Sequence, residues 1–191
     1  MNTEKLNALK ERAYKTAVEH GFHEDVKPDA YYLGLVMSEA GEAINADREG
    51  SHADTKKFED VVKNGQIYRL SFDVYIKDSV EDEFADIVIR LLDFAGLRGY
   101  KLSIIQEESY DPTHFLSCIE KYTLPGFFFV LIGVLSDASD EHVLGNYICS
   151  VISVLSDCFG KMTGSDKDLW WFVAQKMKYN ELRPKLNGKR Y

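Results

Sequence analysis

Residues 79–95 read SVEDEFADIVIRLLDFA, and this stretch decides the fold. Its apolar side chains fall on one stripe of a helix, with Val80, Ile87, Leu91 and Phe94 as members. Ser79 is a suitable N-cap residue, and Gly96 stands where a helix could end. The pattern therefore predicts a long amphipathic helix with one face in a helical core.

The same periodicity predicts helices along most of the chain. The other predicted helices cover residues 2–20, 29–49, 54–64, 114–122, 124–136, 140–159 and a last one from about 166 to a point before Pro184. The segment RLSFDVYIK, residues 69–77, fits either a strand or a helix. We therefore expect an all-α fold in which residues 1–191 form a single helical bundle.

The composition favours a packed, acidic domain. The chain has 191 residues, with 31 acidic and 23 basic side chains and a net charge of -8. This balance argues against nucleic acid as a partner and suits metal ions, which bind carboxylate oxygens. The longest apolar run, Phe127–Leu135, is far shorter than the roughly 20 residues that span a bilayer. With no signal-like N-terminus, we expect a cytoplasmic protein that binds no membrane.

Two pairs of acids stand among apolar residues of predicted helices. Glu39 and Glu42 are three residues apart in the second helix, and Glu83 and Asp86 repeat this spacing in the helix quoted above. Residues three apart are neighbours on a helix surface. If the two helices face each other, four carboxylates surround one cavity and form a site suited to Mg²⁺.

Simpler explanations of these acids stay open. Acids at this spacing also occur on solvated helix faces, and Glu83 lies in a first turn, where the helix dipole favours acids. The dipole does not account for Glu39 and Glu42, which lie in the middle of their helix. These two residues therefore carry most of the metal-site hypothesis.

The C-terminal segment KMKYNELRPKLNGKRY is locally basic in an acidic chain. Lys176, Asn180 and Arg183 share one side of the predicted last helix, and Lys189 follows in the tail. These groups are candidates for binding the phosphates of a triphosphate. Alternatively, the cations only complement the dipole of their own helix.

Taken together, these segments resemble the MazG-like superfamily of all-alpha nucleoside triphosphate pyrophosphohydrolases. The resemblance rests on Glu39-Ala-Gly-Glu42 followed by Glu83-Phe-Ala-Asp86, an E-x-x-E and then an E-x-x-D motif, and on the basic C-terminal segment. It covers residues from about 31 to 95 and from 166 to 191. Residues 50–78 and 97–165 look like insertions relative to compact members of that family.

The resemblance implies an enzyme that hydrolyses a nucleoside triphosphate to the monophosphate and pyrophosphate, with a possible role in nucleotide-pool housekeeping. It implies that Glu39, Glu42, Glu83 and Asp86 are the catalytic, metal-binding set for Mg²⁺, with Mn²⁺ as a substitute. Either Glu39 or Glu42 would orient the attacking water. The phosphate tail would contact Lys176, Asn180, Arg183 and Lys189, and the protein would form a homo-oligomer, a dimer or a larger assembly.

Two rival functions follow from other features of the chain. A di-iron carboxylate bundle needs two Glu-x-x-His helices, and the one such spacing here, Glu49 to His52, falls where a helix breaks. The other rival is a non-enzymatic oligomerisation module with a vestigial acidic site. Gly34 and Gly41 would permit close helix approach in such a module. Metal-dependent nucleotide turnover distinguishes the enzyme from the module.

Overall fold

The computed structural model describes residues 1–103, 123–136 and 141–185, which contain helices and no strand. The helices are Thr3–Glu19 (α1), Asp29–Glu49 (α2), Thr55–Lys63 (α3), Tyr68–Tyr75 (α4), Val80–Leu97 (α5), Leu124–Ser136 (α6), Glu141–Thr163 (α7) and Leu169–Glu181 (α8). The all-α fold class is therefore confirmed. The helix predicted at 114–122 lies outside the described residues.

Most helix boundaries agree with the sequence patterns to within a few residues. Residues 69–77, which fitted a strand or a helix, lie mostly in α4. Gly96 does not terminate α5, which continues through Leu97 and is followed by Gly99 with φ of 69°. Among the described residues, no helix combines the length and the apolar composition needed to cross a membrane.

Helix α5 is the central element of the fold. It packs against α1, α2, α7 and α8, and most of its side chains are buried. Phe84 is fully buried and contacts the rings of Phe127, Phe128 and Phe159 from α6 and α7. Because α5 is enclosed from several directions, the acids in its first turns are held at an interior position.

Helices α3 and α4 form a small unit beside α8. The ring of Phe72 in α4 stacks on Tyr179 of α8, with centroids 4.4 Å apart. Phe58 of α3 meets Trp171 of α8 edge-to-face at 5.9 Å. These contacts attach α3 and α4 to α8 near both of its ends.

Gly96 allows α1 to approach α5 closely. A Cβ atom at this position would lie 2.5 Å from Cβ of Tyr14, a distance that real structures do not show. Gly133, also inside a helix, has no heavy atom of the described residues within 4 Å of such a Cβ. The two glycines therefore have different roles although both are helical.

We predict that Gly96→Ala lowers the free energy of unfolding by about 1–3 kcal/mol, because Tyr14 must move out of its packed position. Urea unfolding measures the change. The control Gly133→Ala should raise stability by up to about 1 kcal/mol, since alanine favours the helix and meets no neighbour. Equal effects of both substitutions would contradict the close approach.

Candidate functional site

A cavity of about 770 Å³ lies between α1, α2, α5 and α8. Seven of the eight residues predicted for the site line it, namely Glu39, Glu42, Glu83, Asp86, Lys176, Asn180 and Arg183. The eighth, Lys189, lies outside the described residues. The fold therefore brings together the acid pairs of α2 and α5 with the polar face at the end of α8.

The start of α5 is built so that its acids point inwards. The Ser79 side chain caps the helix by accepting a hydrogen bond from the backbone N–H of Asp82 at 3.2 Å. The first turn carries Glu81, Asp82 and Glu83, all of them buried. The N-terminal end of the helix dipole favours negative charge there, which offsets part of the cost of burial.

Three of the carboxylates that line the cavity lie close together. Glu39, Glu83 and Asp86 each offer an oxygen, and these three atoms lie within 4.8 Å of one another. Glu83 Oε2 is buried and has no hydrogen-bond partner among the residues that the structure describes. A buried acceptor without a donor is costly, so this trio has the spacing and the unused oxygen that a hard cation requires.

Glu42 occupies a different position from the other three acids. Its side chain lines the cavity but is exposed, and Ser38 Oγ lies 3.5 Å from its Oε1. Glu39 and Glu42 both line the cavity, but only Glu39 is buried. A difference of about 60° around the helix axis separates Glu42 from Glu39 and places Glu42 at the open side of the cavity.

Burial and mutual repulsion raise the pKa values of two of these acids. Burial, followed by the charges of Asp86 and Asp82, raises the pKa of Glu83 to about 9. Burial and then the Asp86 carboxylate also raise the pKa of Glu39, although Arg90 opposes the rise. Glu83 therefore holds a proton near neutral pH unless a cation replaces it.

Lys176 contacts the acids directly. Its Nζ lies 2.6 Å from Asp82 Oδ2 and 2.7 Å from Asp86 Oδ2, and its side chain is only 5% exposed. Burial disfavours the ammonium charge, but Asp82 and Asp86 outweigh it and raise the pKa of Lys176. Because both carboxylates share this lysine, it fixes their orientation, which is a role that the sequence pattern did not indicate.

Arg90 is a site residue that the sequence analysis missed. Its Nε and Nη2 both lie 2.9 Å from Glu39 Oε1, which joins α5 to α2. Arg90 follows Asp86 by four residues and Glu83 by seven, so it lies on the same face of α5. That spacing is the sequence signal from which Arg90 could have been identified. It predicts a neighbour of the acids on α5 but does not reveal the partner on α2.

A second trio of acids is less suited to a metal. Asp78, Asp82 and Glu83 also offer oxygens within 4.8 Å of one another. However, Asp82 is fully buried and does not line the cavity, whereas Glu39, Glu83 and Asp86 all line it. Burial raises the pKa of Asp82 to about 6 even with Lys176 opposing the rise. The trio around Glu39 is therefore the better cation site.

The last turn of α8 and the residues that follow it place two polar side chains at the cavity. Asn180 Oδ1 is buried and has no partner in the described part of the chain. The backbone carbonyl of Arg183 accepts from His20 Nε2 at 2.9 Å, which ties this segment to α1. The Arg183 guanidinium lies over the ring of Tyr179, 5.7 Å from its centroid. Both side chains reach the cavity from one wall.

Comparisons with family models, with curated proteins and with solved structures found no match to this chain.

The raised pKa of Glu83 predicts how the metal-free protein responds to pH. The folded state holds a proton that the unfolded state releases above its ordinary pKa of 4.5. The folded state is therefore favoured at low pH, and stability falls as pH rises towards 9. We expect a fall of up to about 1.4 kcal/mol per pH unit. Urea unfolding in chelator at about pH 6 and about pH 8 measures this slope.

Glu83→Gln should flatten that pH dependence and stabilise the protein near pH 8, because it removes the buried carboxyl group and keeps a similar shape. Glu49→Gln is the control, since Glu49 is exposed at the end of α2. Parallel curves for the wild type and Glu83→Gln would contradict the assignment of the buried proton to Glu83.

Proposed function

We propose that this chain is a Mg²⁺-dependent nucleoside triphosphate pyrophosphohydrolase, which releases a nucleoside monophosphate and pyrophosphate. One observation supports the proposal above all. A single cavity is lined by acid pairs from two helices and by cationic and amide groups from a third. The site thus combines groups for a cation with groups for the phosphates that the cation accompanies.

In this proposal Glu39, Glu83 and Asp86 bind Mg²⁺, or Mn²⁺ as a substitute. The ion would neutralise phosphate oxygens and lower the pKa of a bound water. Lys176 holds Asp86 in place from one side, and Arg90 holds Glu39 from the other. Both side chains act as positioning residues in this scheme because they contact the ligating carboxylates.

Glu42 is the proposed group that orients the attacking water. Arg90 bonds Glu39, whereas Glu42 has one weak contact with Ser38 and lies at the open side. The oxygen of water would form a bond to phosphorus as the bridging P–O bond breaks and pyrophosphate departs. Glu42 would accept the proton that the water loses.

Asn180 and Arg183 are the proposed phosphate-binding residues on the described end of α8, with Lys189 assigned to the same role in the tail. The arginine fork can bond two phosphate oxygens, and the amide can donate a further hydrogen bond. The proposed homo-oligomer is compatible with Gly34 and Gly41 of α2, because a Cβ atom at either position would have no heavy atom of the described residues within 4 Å.

The test is a panel of nucleoside triphosphates with Mg²⁺, assayed for pyrophosphate release. We expect turnover that a chelator abolishes and that Mn²⁺ restores in part. Glu42→Ala should reduce kcat at least about 100-fold and change unfolding free energy by less than about 0.5 kcal/mol. The control Glu49→Ala removes an exposed acid outside the cavity and should keep full activity. Metal-independent turnover, or an active Glu42→Ala variant, would refute the proposed mechanism.

Arg183→Ala should lower kcat/KM about 30- to 1000-fold for every triphosphate, because a phosphate contact that tightens in the transition state is lost. Arg183→Lys should restore activity only in part, since lysine lacks the planar fork. Lys178→Ala is the matched control, because Lys178 is a cation of α8 that lies over Tyr68 and not in the cavity. Unchanged kcat/KM in Arg183→Ala would contradict the phosphate contact and would favour the alternative that the cations only complement the dipole of their own helix.

A further inference from the structure

One polar group lies at the other end of the cavity from the carboxylate trio. Asp93 lines the cavity, and its side chain is 13% exposed. Asp93 Oδ1 accepts a hydrogen bond from His23 Nε2 at 2.7 Å. Within the residues that the structure describes, Oδ2 has no hydrogen-bond partner. Asp93 therefore has one oxygen that is held and one that is available to a ligand.

His23 fixes the orientation of this carboxylate. Its side chain is only 5% exposed and contacts the rings of Tyr14 and Tyr32, with centroids 5.5 and 6.0 Å away. Because an ionised carboxylate can only accept, Nε2 must carry the proton in this hydrogen bond. Burial raises the pKa of Asp93, but the hydrogen bond from His23 and the charges of His23 and Arg90 favour the ionised form.

The location of Asp93 suits the base of a nucleotide. Asp93 follows Asp86 by seven residues on the same face of α5, about 10 Å along the helix axis. Apolar residues that line the cavity include Phe22, Tyr31, Leu35 and Ile89, and the polar residues His20 and Arg90 line it as well. Apolar surface with a few polar groups that set orientation is typical of a site for a planar heterocycle.

We propose that Asp93 reads the base of the nucleoside triphosphate and selects bases that present an amino group. This inference rests on the proposed function and adds the chemical class of the base. An exocyclic amino group of cytosine, adenine or guanine donates a hydrogen bond to Asp93 Oδ2. Uracil and thymine present a carbonyl oxygen where cytosine has its amino group. Hypoxanthine presents a carbonyl oxygen where adenine has its amino group, and only a hydrogen atom where guanine has its amino group. A carbonyl facing the carboxylate would leave two acceptors opposed and buried, so such bases are rejected.

The first test compares triphosphates that differ at the amino group, using the pairs CTP and UTP, GTP and ITP, and ATP and ITP. In the pair that contains the best substrate, kcat/KM should favour the amino base by at least about tenfold. Equal values within all pairs, or a preference for the keto base, would overturn the assignment.

The second test exchanges the acceptor for a donor. In Asp93→Asn, the amide oxygen should take the hydrogen bond from His23 Nε2, which turns the amide NH₂ towards the cavity. The preference within the pair should then reverse towards the keto base. The double variant with His23→Phe removes the group that orients the amide, and it should show little preference either way. Asp25→Asn is the control, because it makes the same substitution at an exposed position, and it should keep the wild-type preference.

A binding measurement separates failure of this inference from failure of the proposed function. Calorimetry with non-hydrolysable α,β-methylene analogues of the same pairs reports base preference without turnover. No pyrophosphate release with amino-selective binding would refute the hydrolysis and support the role of Asp93. Turnover without amino preference, or an Asp93→Asn variant that keeps the wild-type preference, would refute the role of Asp93 and leave the hydrolysis standing.

Discussion

Lys176 of α8 lies between Asp82 and Asp86 of α5, and the arrangement of the cavity depends on this contact. The lysine is almost fully buried, as is Asp82. Removing one partner of such a pair typically costs about 3–5 kcal/mol, because the other charge is left unpaired in the interior. Replacing the whole cluster by apolar residues is often harmless to stability. The ion pair is therefore better understood as a device that fixes α8 against α5 than as a source of stability.

The acids of α5 and α2 extend this network of ionic contacts from α8 to α2. Asp86, held by Lys176, lies one turn from Arg90, and Arg90 bonds Glu39 on α2. Three helices are thus joined by the buried Lys176 and the half-buried Arg90, and the oxygens of Glu39, Glu83 and Asp86 converge at the junction. Such a site needs little rearrangement to accept a ligand, because its side chains are already held by neighbours.

The helices could be predicted from sequence because their signals are local. Ser79 caps α5 and Gly50 ends α2 in a left-handed conformation, as their positions beside apolar periodicity indicate. The acid pairs and the polar face of α8 could also be identified, since spacing along one helix determines which residues share a face. Partners across helices could not be predicted. The contacts of Lys176 with Asp82, Arg90 with Glu39 and His23 with Asp93 depend on how deeply each helix packs, which periodicity does not encode.

The charges of the cluster explain why its acids are the strongest argument for a divalent cation. Glu39, Asp82, Glu83 and Asp86 are four carboxylates, and Lys176 and Arg90 supply two positive charges among them. Full ionisation would leave two uncompensated negative charges in a low-dielectric interior. Burial, followed by the charges of Asp86 and Asp82, raises the pKa of Glu83 to about 9. Protonation of Glu83 neutralises only one of these two negative charges. A single divalent cation would remove all of it and would satisfy the unpartnered Glu83 Oε2 at the same time.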